Sequence, residues 1–515
     1  MAVDIYDDLL KIKVGPGDGF FPRGEVEKFW TDDNDKKLRS ILEEDSIEYA
    51  KKNLLKTVSL LILSGAPNVA HTIRKMVEDG KPLDAELDKI NPTDPYLSLA
   101  PTSTSTVNHQ ALFQYFRPMF TAPVLTEDED LTLKIGQIMP LVDVNEEPSP
   151  GNPSPGNPSP EDPGPRVEVI GRGMSGVIMA YKIPRGHLKR NGELNQEEVP
   201  VAKKTYITSS ITHQRELSVL KEIRTLLMEN RNVQICPPIC LVTDGSGVHS
   251  LSLRARCQLG DKLEELQRSY NGSLNEGRLM DSIRQMKGIA GAVKFLHEAE
   301  PYPSDMCYCH MDIAPRNILI FGLPSDILSV GDWKLIDFGI TKYSQKKKWR
   351  TSGGDRDGGT PRVTITVGTY LIPVHSAHQP PEIVENNIKR SAQLGDPITV
   401  MGRGSDIWSL ACVFAQVLAA NLGELNKLDD CKKSFYEKET RSCISSGYRR
   451  HSAFDQWLKK LPKEGESMDI LTSCRNLIKG MTHIQRIRRL KATQVLERME
   501  KFPGLDGSSS ANAPS

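Results

Sequence analysis

The sequence lacks an excess of either charge, because 66 lysines and arginines balance 66 aspartates and glutamates. No net positive field therefore favours a nucleic acid or an anionic membrane surface as a partner. The sequence also lacks an apolar run that could cross a bilayer. The most apolar stretch, residues 54–66, contains Lys56 and two serines, and it predicts a buried helix.

Cysteine is scarce and irregularly spaced, with nine residues in a chain of 515. An odd and scattered set is typical of reduced thiols and not of a disulfide framework. Residues 1–13 are acidic and do not show the charged-then-apolar pattern of a signal peptide. These features together predict a cytoplasmic or nuclear protein.

Proline is abundant in one place, residues 147–165, which read EPSPGNPSPGNPSPEDPGP. Repeated prolines remove amide donors and favour an extended chain, so this stretch predicts a semi-rigid linker. A proline-motif ligand for a partner protein is the alternative. The chain is thereby divided into an N-terminal module (residues 1–144), a linker (145–166), a larger domain (167–503) and a disordered tail (504–515).

The N-terminal module is predicted to be mainly helical. Residues 34–64 carry apolar side chains near a 3.6 spacing, Gly65 is placed to end that helix, and Pro67 to begin another that runs through Asp79. Residues 131–144 alternate and predict a strand. The module contains no catalytic constellation, so we expect it to be regulatory or to bind a partner protein, as the proline-rich segment also could.

Three glycines, Gly171, Gly173 and Gly176, form the pattern G-x-G-x-x-G. Residues 177–182 after them predict a strand, whereas the dinucleotide fingerprint requires a helix there. Two strands joined by a glycine turn form a flap whose backbone amides can approach phosphate oxygens, because no Cβ intervenes. A tight hairpin that binds no ligand is the alternative interpretation of this motif alone.

Residues 201–204 (VAKK) predict a strand on which Ala202 and Lys204 share one face. A small side chain beside a lysine leaves room for adenine, and Lys204 would then contact the α- and β-phosphates. A solvated lysine is the alternative. Residues 213–223 after this strand predict an amphipathic helix that carries Glu216.

Residues 310–317 (HMDIAPRN) fit the pattern H-x-D-x-x-x-x-N, and residues 337–339 (DFG) follow an apolar pair. In this order and spacing, the motifs resemble the eukaryotic protein kinase family over about two thirds of the chain. The resemblance implies an α+β, bilobal fold, with a small antiparallel β lobe and a large helical lobe, preceded here by the helical N-terminal module.

The resemblance also implies roles for individual residues. Asp312 would orient the attacking hydroxyl, Glu216 would pair with Lys204, and Asn317 and Asp337 would bind Mg²⁺, or alternatively Mn²⁺, on the phosphates of ATP. The adenine would lie between the apolar side chains of Val177, Ala202 and Leu319. A hydrophobic spine would form from the side chains of Leu220, His310 and Phe338.

Further landmarks of the family lie nearer the C-terminus. Residues 380–382 (PPE) stand where the family has Ala-Pro-Glu, and Arg489 fits the arginine that pairs with Glu382. Asp406 matches the aspartate of the central buried helix that anchors the catalytic loop. The hinge between the lobes is expected near residues 255–259.

Two residues of the catalytic loop depart from the family pattern, and a third bears on the choice of acceptor. Met311 replaces the arginine that normally binds a phosphorylated activation loop, so we expect a different mode of control. Ala314 stands where serine/threonine kinases have lysine, whereas Arg316 matches an arrangement of tyrosine kinases. The stretch before Glu382 lacks the tryptophan expected of tyrosine kinases and contains a Gly-Thr pair, which favours serine or threonine as the acceptor.

The sequence therefore predicts a protein kinase that transfers the γ-phosphate of ATP to protein hydroxyls, more in the manner of serine/threonine than of tyrosine kinases. A pseudokinase scaffold is the main alternative, although Lys204, Asp312, Asn317 and Asp337 are all present. A phosphotransferase of the aminoglycoside or choline type would usually lack the Pro-Glu landmark. The domain order also resembles kinase-like proteins of filamentous fungi that have a helical N-terminal segment.

Overall fold

A computed structural model gives the fold of the chain in two units. By their contacts, residues 1–210 and 238–254 form unit 1, and residues 211–237 and 255–515 form unit 2. The linker and the last ten residues, with the structure predicted for them, lie outside the described part of the chain. The structure describes residues 2–14, 19–33, 35–66, 68–79, 84, 87, 90, 93, 97, 99, 108–144, 168–173, 176–206, 211–228, 230, 233–299, 308–322, 330–338, 342–343, 347–348, 363–364, 377–383, 402–431, 433–438, 448–461 and 469–505.

Unit 1 begins with a group of helices that share one apolar core. A π-helical turn, Phe29–Asp33, follows the second of them. The helices are α1 (Ala2–Lys11), α2 (Arg23–Lys28), α3 (Asp35–Ile41), α4 (Glu44–Asn53), α5 (Leu55–Leu63), α6 (Val69–Glu78) and α7 (His109–Phe120).

The single helix expected over residues 34–64 is wrong, because the structure divides this stretch into α3, α4 and α5. The last break falls at Leu54, whose φ of −134° leaves the helical region. Asp84 explains it: its carboxylate accepts hydrogen bonds from Lys56 N at 2.8 Å and from Thr57 N at 2.9 Å, and so caps α5. Gly65 ends α5 at a φ of +67°, as predicted, and α5 is the buried helix expected of the apolar run.

The rest of unit 1 is built from strands. A seven-stranded sheet has the order β2-β9-β10-β8-β5-β3, with β4 also paired to β5, and a three-stranded sheet has the order β1-β6-β7. The strands are β1 (Leu125–Thr126), β2 (Leu131–Thr132), β3 (Val142–Asp143), β4 (Val169–Gly173), β5 (Gly176–Ile183), β6 (Leu188–Arg190), β7 (Glu193–Leu194), β8 (Val199–Tyr206), β9 (Cys240–Asp244) and β10 (Gly247–Leu253).

The strand expected over residues 131–144 is also divided. Only its two ends are extended, as β2 and β3, and they pair with different strands of the seven-stranded sheet. A turn at Gly136, with a φ of +81°, lies between them. The strands predicted after Gly176 and around Lys204 are confirmed as β5 and β8.

Unit 2 is mainly helical, with short two- and three-stranded sheets. Its helices are α8 (Ile211–Met228), α9 (Leu259–Arg268), α10 (Glu276–Glu298), α11 (Arg403–Asn421), α12 (Ser452–Lys460), α13 (Asp469–Met481) and α14 (Ala492–Glu500). Its strands are β11 (Cys257–Gln258), β12 (Tyr308–Cys309), β13 (Ile318–Phe321), β14 (Asp332–Leu335), β15 (Lys342–Tyr343), β16 (Lys347–Lys348), β17 (Val363–Thr364), β18 (Tyr436–Lys438) and β19 (Tyr448–Arg450).

Helix α11 is buried along almost its whole length and forms the centre of unit 2. A helix that is apolar on all sides belongs in a core of this kind. Over the described residues, none of the helices combines the length and the apolar character that crossing a membrane requires.

Candidate active site

The glycine motif lies where β4 turns into β5, in unit 1. Gly171 and Gly173 are on β4, and Gly173 pairs with Gly176, the first residue of β5. A Cβ built on Gly176 would lie 2.1 Å from the carbonyl oxygen of Thr205 on β8, so no other residue fits there. The two residues between Gly173 and Gly176 lie outside the described part of the chain.

The pairing of β5 with β8 decides which side chains share a face with Lys204. Ala202 is opposite Ala180, and Lys204 is opposite Ile178, so these four side chains project from one face of the sheet. Val177 is opposite Thr205 and projects from the other face. The sequence-based placement of Val177 beside Ala202 is therefore wrong by one residue, and Ile178 occupies that position.

The two neighbouring lysines of β8 have different surroundings. Lys204 Nζ lies 5.0 Å from the ring centroid of Tyr206, and the Tyr206 hydroxyl donates a hydrogen bond to Ser250 Oγ at 3.3 Å. Lys203, on the opposite face, lies over the ring of Tyr181, and burial lowers its pKa. The face that carries Ala202 and Lys204 is thus separate from the face that holds Lys203.

Glu216 lies on α8 in unit 2, and its side chain is buried, with 2% of its surface exposed. Glu222, the other acidic residue on this helix, accepts hydrogen bonds from the Tyr308 hydroxyl at 2.7 Å and from Ser218 Oγ at 3.2 Å. Leu220 of the predicted spine is buried on the same helix. Because Lys204 and Glu216 belong to different units, their pairing stays a prediction.

The loop that contains Asp312 is closed by its own side chains. Asn317 Nδ2 donates to the backbone oxygen of Asp312 at 2.7 Å and to its Oδ2 at 2.8 Å. Arg316 Nη2 lies 2.5 Å from Asp312 Oδ1. A 3₁₀ turn over Pro315–Asn317 brings these side chains back to the aspartate. Both carboxylate oxygens of Asp312 are thereby oriented.

Asp406, near the start of α11, anchors the backbone of this loop from beneath. Its Oδ2 accepts hydrogen bonds from His310 N at 2.9 Å and from His297 Nε2 at 2.8 Å, and its Oδ1 accepts from Met311 N at 2.7 Å. Met311 has a φ of +69°, a conformation that is costly for a residue with a side chain. The buried carboxylate, 1% exposed, holds the loop in this conformation.

Among the described residues, donor atoms of His297, Cys309 and Asp406 lie within 4.8 Å of one another. Such a set could bind a metal ion, but both oxygens of Asp406 already accept hydrogen bonds from the loop and from His297. The geometry therefore favours a structural role for Cys309.

The segment before the DFG motif is joined to the same loop. Ile336 N donates to Asn317 O at 2.9 Å, and His310 Nε2 donates to Ile336 O at 2.9 Å. The rings of His310 and Phe338 meet edge to face, with their centroids 5.3 Å apart. Asp337 is exposed and has a φ of +65°, so its carboxylate is presented on a strained backbone.

The oxygen atoms of this loop fit a hard divalent cation. Both hydrogen bonds that Asn317 makes to Asp312 use Nδ2, which leaves Oδ1 as the atom for a cation, and Asp337 supplies an exposed carboxylate. Carboxylate and amide oxygens are the ligands that Mg²⁺ prefers. Leu319, expected beside the adenine, lies on β13, which pairs with β11 through Gln258.

Glu382 and Arg489 form a bidentate ion pair near the start of α11, where Arg489 Nη1 also donates to the backbone oxygen of Gly404 at 3.0 Å. Arg489 Nη1 lies 2.6 Å from Glu382 Oε1, and its Nη2 lies 2.8 Å from Oε2. The guanidinium also stacks over Trp408 of α11 at 5.0 Å. His378, four residues before Glu382, lies 2.8 Å from Gln416 Oε1, and burial lowers its pKa to about 4.

Sequence reasoning missed two residues of this arrangement. His297 lies at the end of α10 and contacts Asp406 across 109 residues, so no local pattern points to it. Ile178 could have been found, because the phosphate-loop signature places its apolar residue two positions after the third glycine.

The family model for the protein kinase domain matches residues 166–499. A search of curated proteins finds no match for the chain.

Proposed function

The chain belongs to the protein kinase family, and on that premise we propose that it is a catalytically active enzyme that transfers the γ-phosphoryl group of ATP to hydroxyl groups of proteins. The observation that carries the proposal is the Asp312 carboxylate, which Asn317 and Arg316 orient while Asp406 anchors the backbone amides of the two preceding residues. A loop that served only as a scaffold would not need a carboxylate whose two oxygens are each held by a neighbouring side chain.

Phosphoryl transfer requires positioning and charge neutralisation more than covalent work by the protein. Asp312 would accept a hydrogen bond from the substrate hydroxyl and direct its oxygen at the γ-phosphorus. Lys204 would hold the α- and β-phosphates, and Asn317 and Asp337 would hold Mg²⁺ or Mn²⁺. The cation, when bound, neutralises charge on the phosphates.

Serine and threonine are the proposed acceptors. The position four residues before Glu382 is occupied by His378, so the tryptophan typical of tyrosine kinases is absent there. The Gly-Thr pair at residues 368–369, which also favours this acceptor, lies outside the described residues. One observation favours tyrosine as the second candidate: Arg316, four residues after the aspartate, pairs with Asp312 at 2.5 Å.

The experiment is a radiolabelled-ATP assay of the full chain against generic protein substrates, with Mg²⁺ or Mn²⁺. Asp337→Asn is expected to abolish incorporation, whereas Asp332→Asn is the matched control, because Asp332 is an exposed carboxylate on the preceding strand β14. Incorporation no higher than that of Asp337→Asn would support a pseudokinase scaffold instead. Phosphoamino-acid analysis of the product then decides between the two acceptors.

The relation to kinase-like proteins of filamentous fungi is a proposal as well. It rests on the helical N-terminal segment, which unit 1 contains as α1–α7. We also propose that Ile178, in place of Val177, contacts the adenine with Ala202 and Leu319.

A further inference from the structure

His187 joins the helices α1–α7, called here the helical module, to the strands of unit 1. It lies just after β5 and is fully buried, with 0% of its surface exposed. Its Nε2 accepts a hydrogen bond from Arg23 N at 2.9 Å, and its Nδ1 donates to Pro123 O at 3.0 Å. Phe20 packs against the ring edge to face, 5.4 Å between centroids. Both ring nitrogens are thus used by the N-terminal part of the chain.

Residues 121–144, called here the strap, follow the helical module and pair with strands at three places. In the strap, β1 pairs with β6 and β2 with β9, both in parallel, and β3 pairs with Tyr181 and Lys182 of β5 in the antiparallel sense. The strap therefore supplies both end strands of the path β2-β9-β10-β8-β5-β3. Unpaired sheet edges are a liability, and the strap covers the outer edge of β9 and part of the outer edge of β5.

The strap also covers one face of the sheet. Residues of β5, β8 and β10 with odd numbers project from the face opposite Lys204, and they bury apolar side chains against the strap. The core that they share contains residues of the strap, of the β6–β7 hairpin and of the sheet: Leu125, Leu133, Leu141, Tyr181, Ile183, Leu188, Val201, Ile239, Cys240, Val242 and Leu251. Val142 of β3 belongs instead to the core of the helical module.

Strand β5 therefore belongs both to the part of the sheet that the strap pairs with and to the face that carries Lys204. Its C-terminal half pairs with the strap, and the chain continues from there to His187. Its residues Ile178 and Ala180 project from the same face as Ala202 and Lys204. We propose that the helical module is a built-in support of the nucleotide-binding sheet, attached through His187 and the strap, and that loosening this attachment weakens ATP binding. The ATP part rests on the proposed function, whereas the support itself does not.

The first test uses full-length His187→Ala and follows amide hydrogen exchange without nucleotide. Removing the imidazole leaves the buried Arg23 amide and Pro123 carbonyl without their partner, so exchange of the β5 and β8 amides should become faster by about tenfold or more. His71→Ala is the control, because His71 is an exposed histidine on α6 of the same module. ATP with MgCl₂ should bind His187→Ala more weakly, with His71→Ala unchanged.

The second test keeps every side chain of the support in place. A protease site is inserted into residues 147–165 of the full chain, and the purified protein is cut there. The two pieces should then co-elute and retain wild-type exchange in β5 and β8, because strand pairing and the His187 hydrogen bonds still join them.

The outcomes separate the two proposals. Release of the N-terminal piece with unchanged exchange in β5 and β8 would overturn the support, as would wild-type exchange in His187→Ala. Wild-type protein that binds no ATP would refute the proposed function alone, because the exchange measurements need no nucleotide. If His187→Ala fails to fold, retention of the cut N-terminal piece still decides the question.

Discussion

Asp406→Asn is the most direct test of how the catalytic loop is held. The carboxylate accepts three hydrogen bonds, two at Oδ2 and one at Oδ1, and every donor is fixed within 2.9 Å. An amide offers one acceptor oxygen and one donor group. In either orientation, at least one buried donor faces an NH₂ group and loses its partner.

The magnitude follows from the type of bond that is lost. A hydrogen bond to a charged acceptor contributes about 1.5–3 kcal/mol, and a buried donor left unsatisfied costs a similar amount. If the lost bond is that of Met311 N, the strained φ of +69° is no longer held, and Asp312 follows it directly in the chain. We therefore expect kcat to fall by about 10- to 100-fold, since a misplacement of about 1 Å can cost as much.

The assay combines turnover with exchange of the two backbone amides. At least one of the two backbone amides, that of His310 or that of Met311, should lose protection and exchange with solvent about tenfold faster or more. Asp281→Asn is the control, because Asp281 is an exposed carboxylate on α10 whose ion pair is with Arg284. An Asp406→Asn enzyme with wild-type kcat and wild-type amide exchange would refute the anchoring argument.

Three further outcomes test other parts of the molecule. Arg489→Ala should cost about 3–5 kcal/mol of unfolding free energy, because Glu382 is left as a partly buried charge, whereas Met at both positions should cost less; equal losses in urea titrations would contradict this. Burial lowers the pKa of His378 to about 4, below its unfolded value of about 6.5, so the folded state binds fewer protons and loses stability as pH falls through that window. Between about pH 7.5 and about pH 5 the loss should be about 2 kcal/mol, and His378→Gln should lack this part of the acid sensitivity; an unchanged pH profile of the urea midpoint would count against it. Ile178→Ala should raise KM for ATP, and Val177→Ala should not, as steady-state kinetics can decide.

The sequence predicted best the elements whose pattern is local. The strand around Lys204, the strand after Gly176 and the helix that carries Glu216 all follow from side-chain alternation or helical periodicity, and the structure contains each of them. The resemblance to the eukaryotic protein kinase family is confirmed by the family match at residues 166–499.

Contacts between distant residues explain the errors. The expected helix over residues 34–64 breaks at Leu54 because Asp84, about thirty residues later, caps the next helix. Val177 was placed on the wrong face because alternation alone gives two faces but not which one holds Lys204; the pairing of Ile178 with Lys204 shows which, in agreement with the spacing of the phosphate-loop signature.

Met311 shows how the loop keeps its form without the arginine of the family pattern. Its side chain is buried, with 6% exposed, and an apolar group at this position cannot bind a phosphate. The conformation that positions Asp312 is instead held by its own backbone amide on Asp406 and by the side chains of Asn317 and Arg316. Each of these contacts lies within the loop or on α11. The substitution that removes a phosphate ligand therefore leaves the contacts that orient the catalytic carboxylate intact.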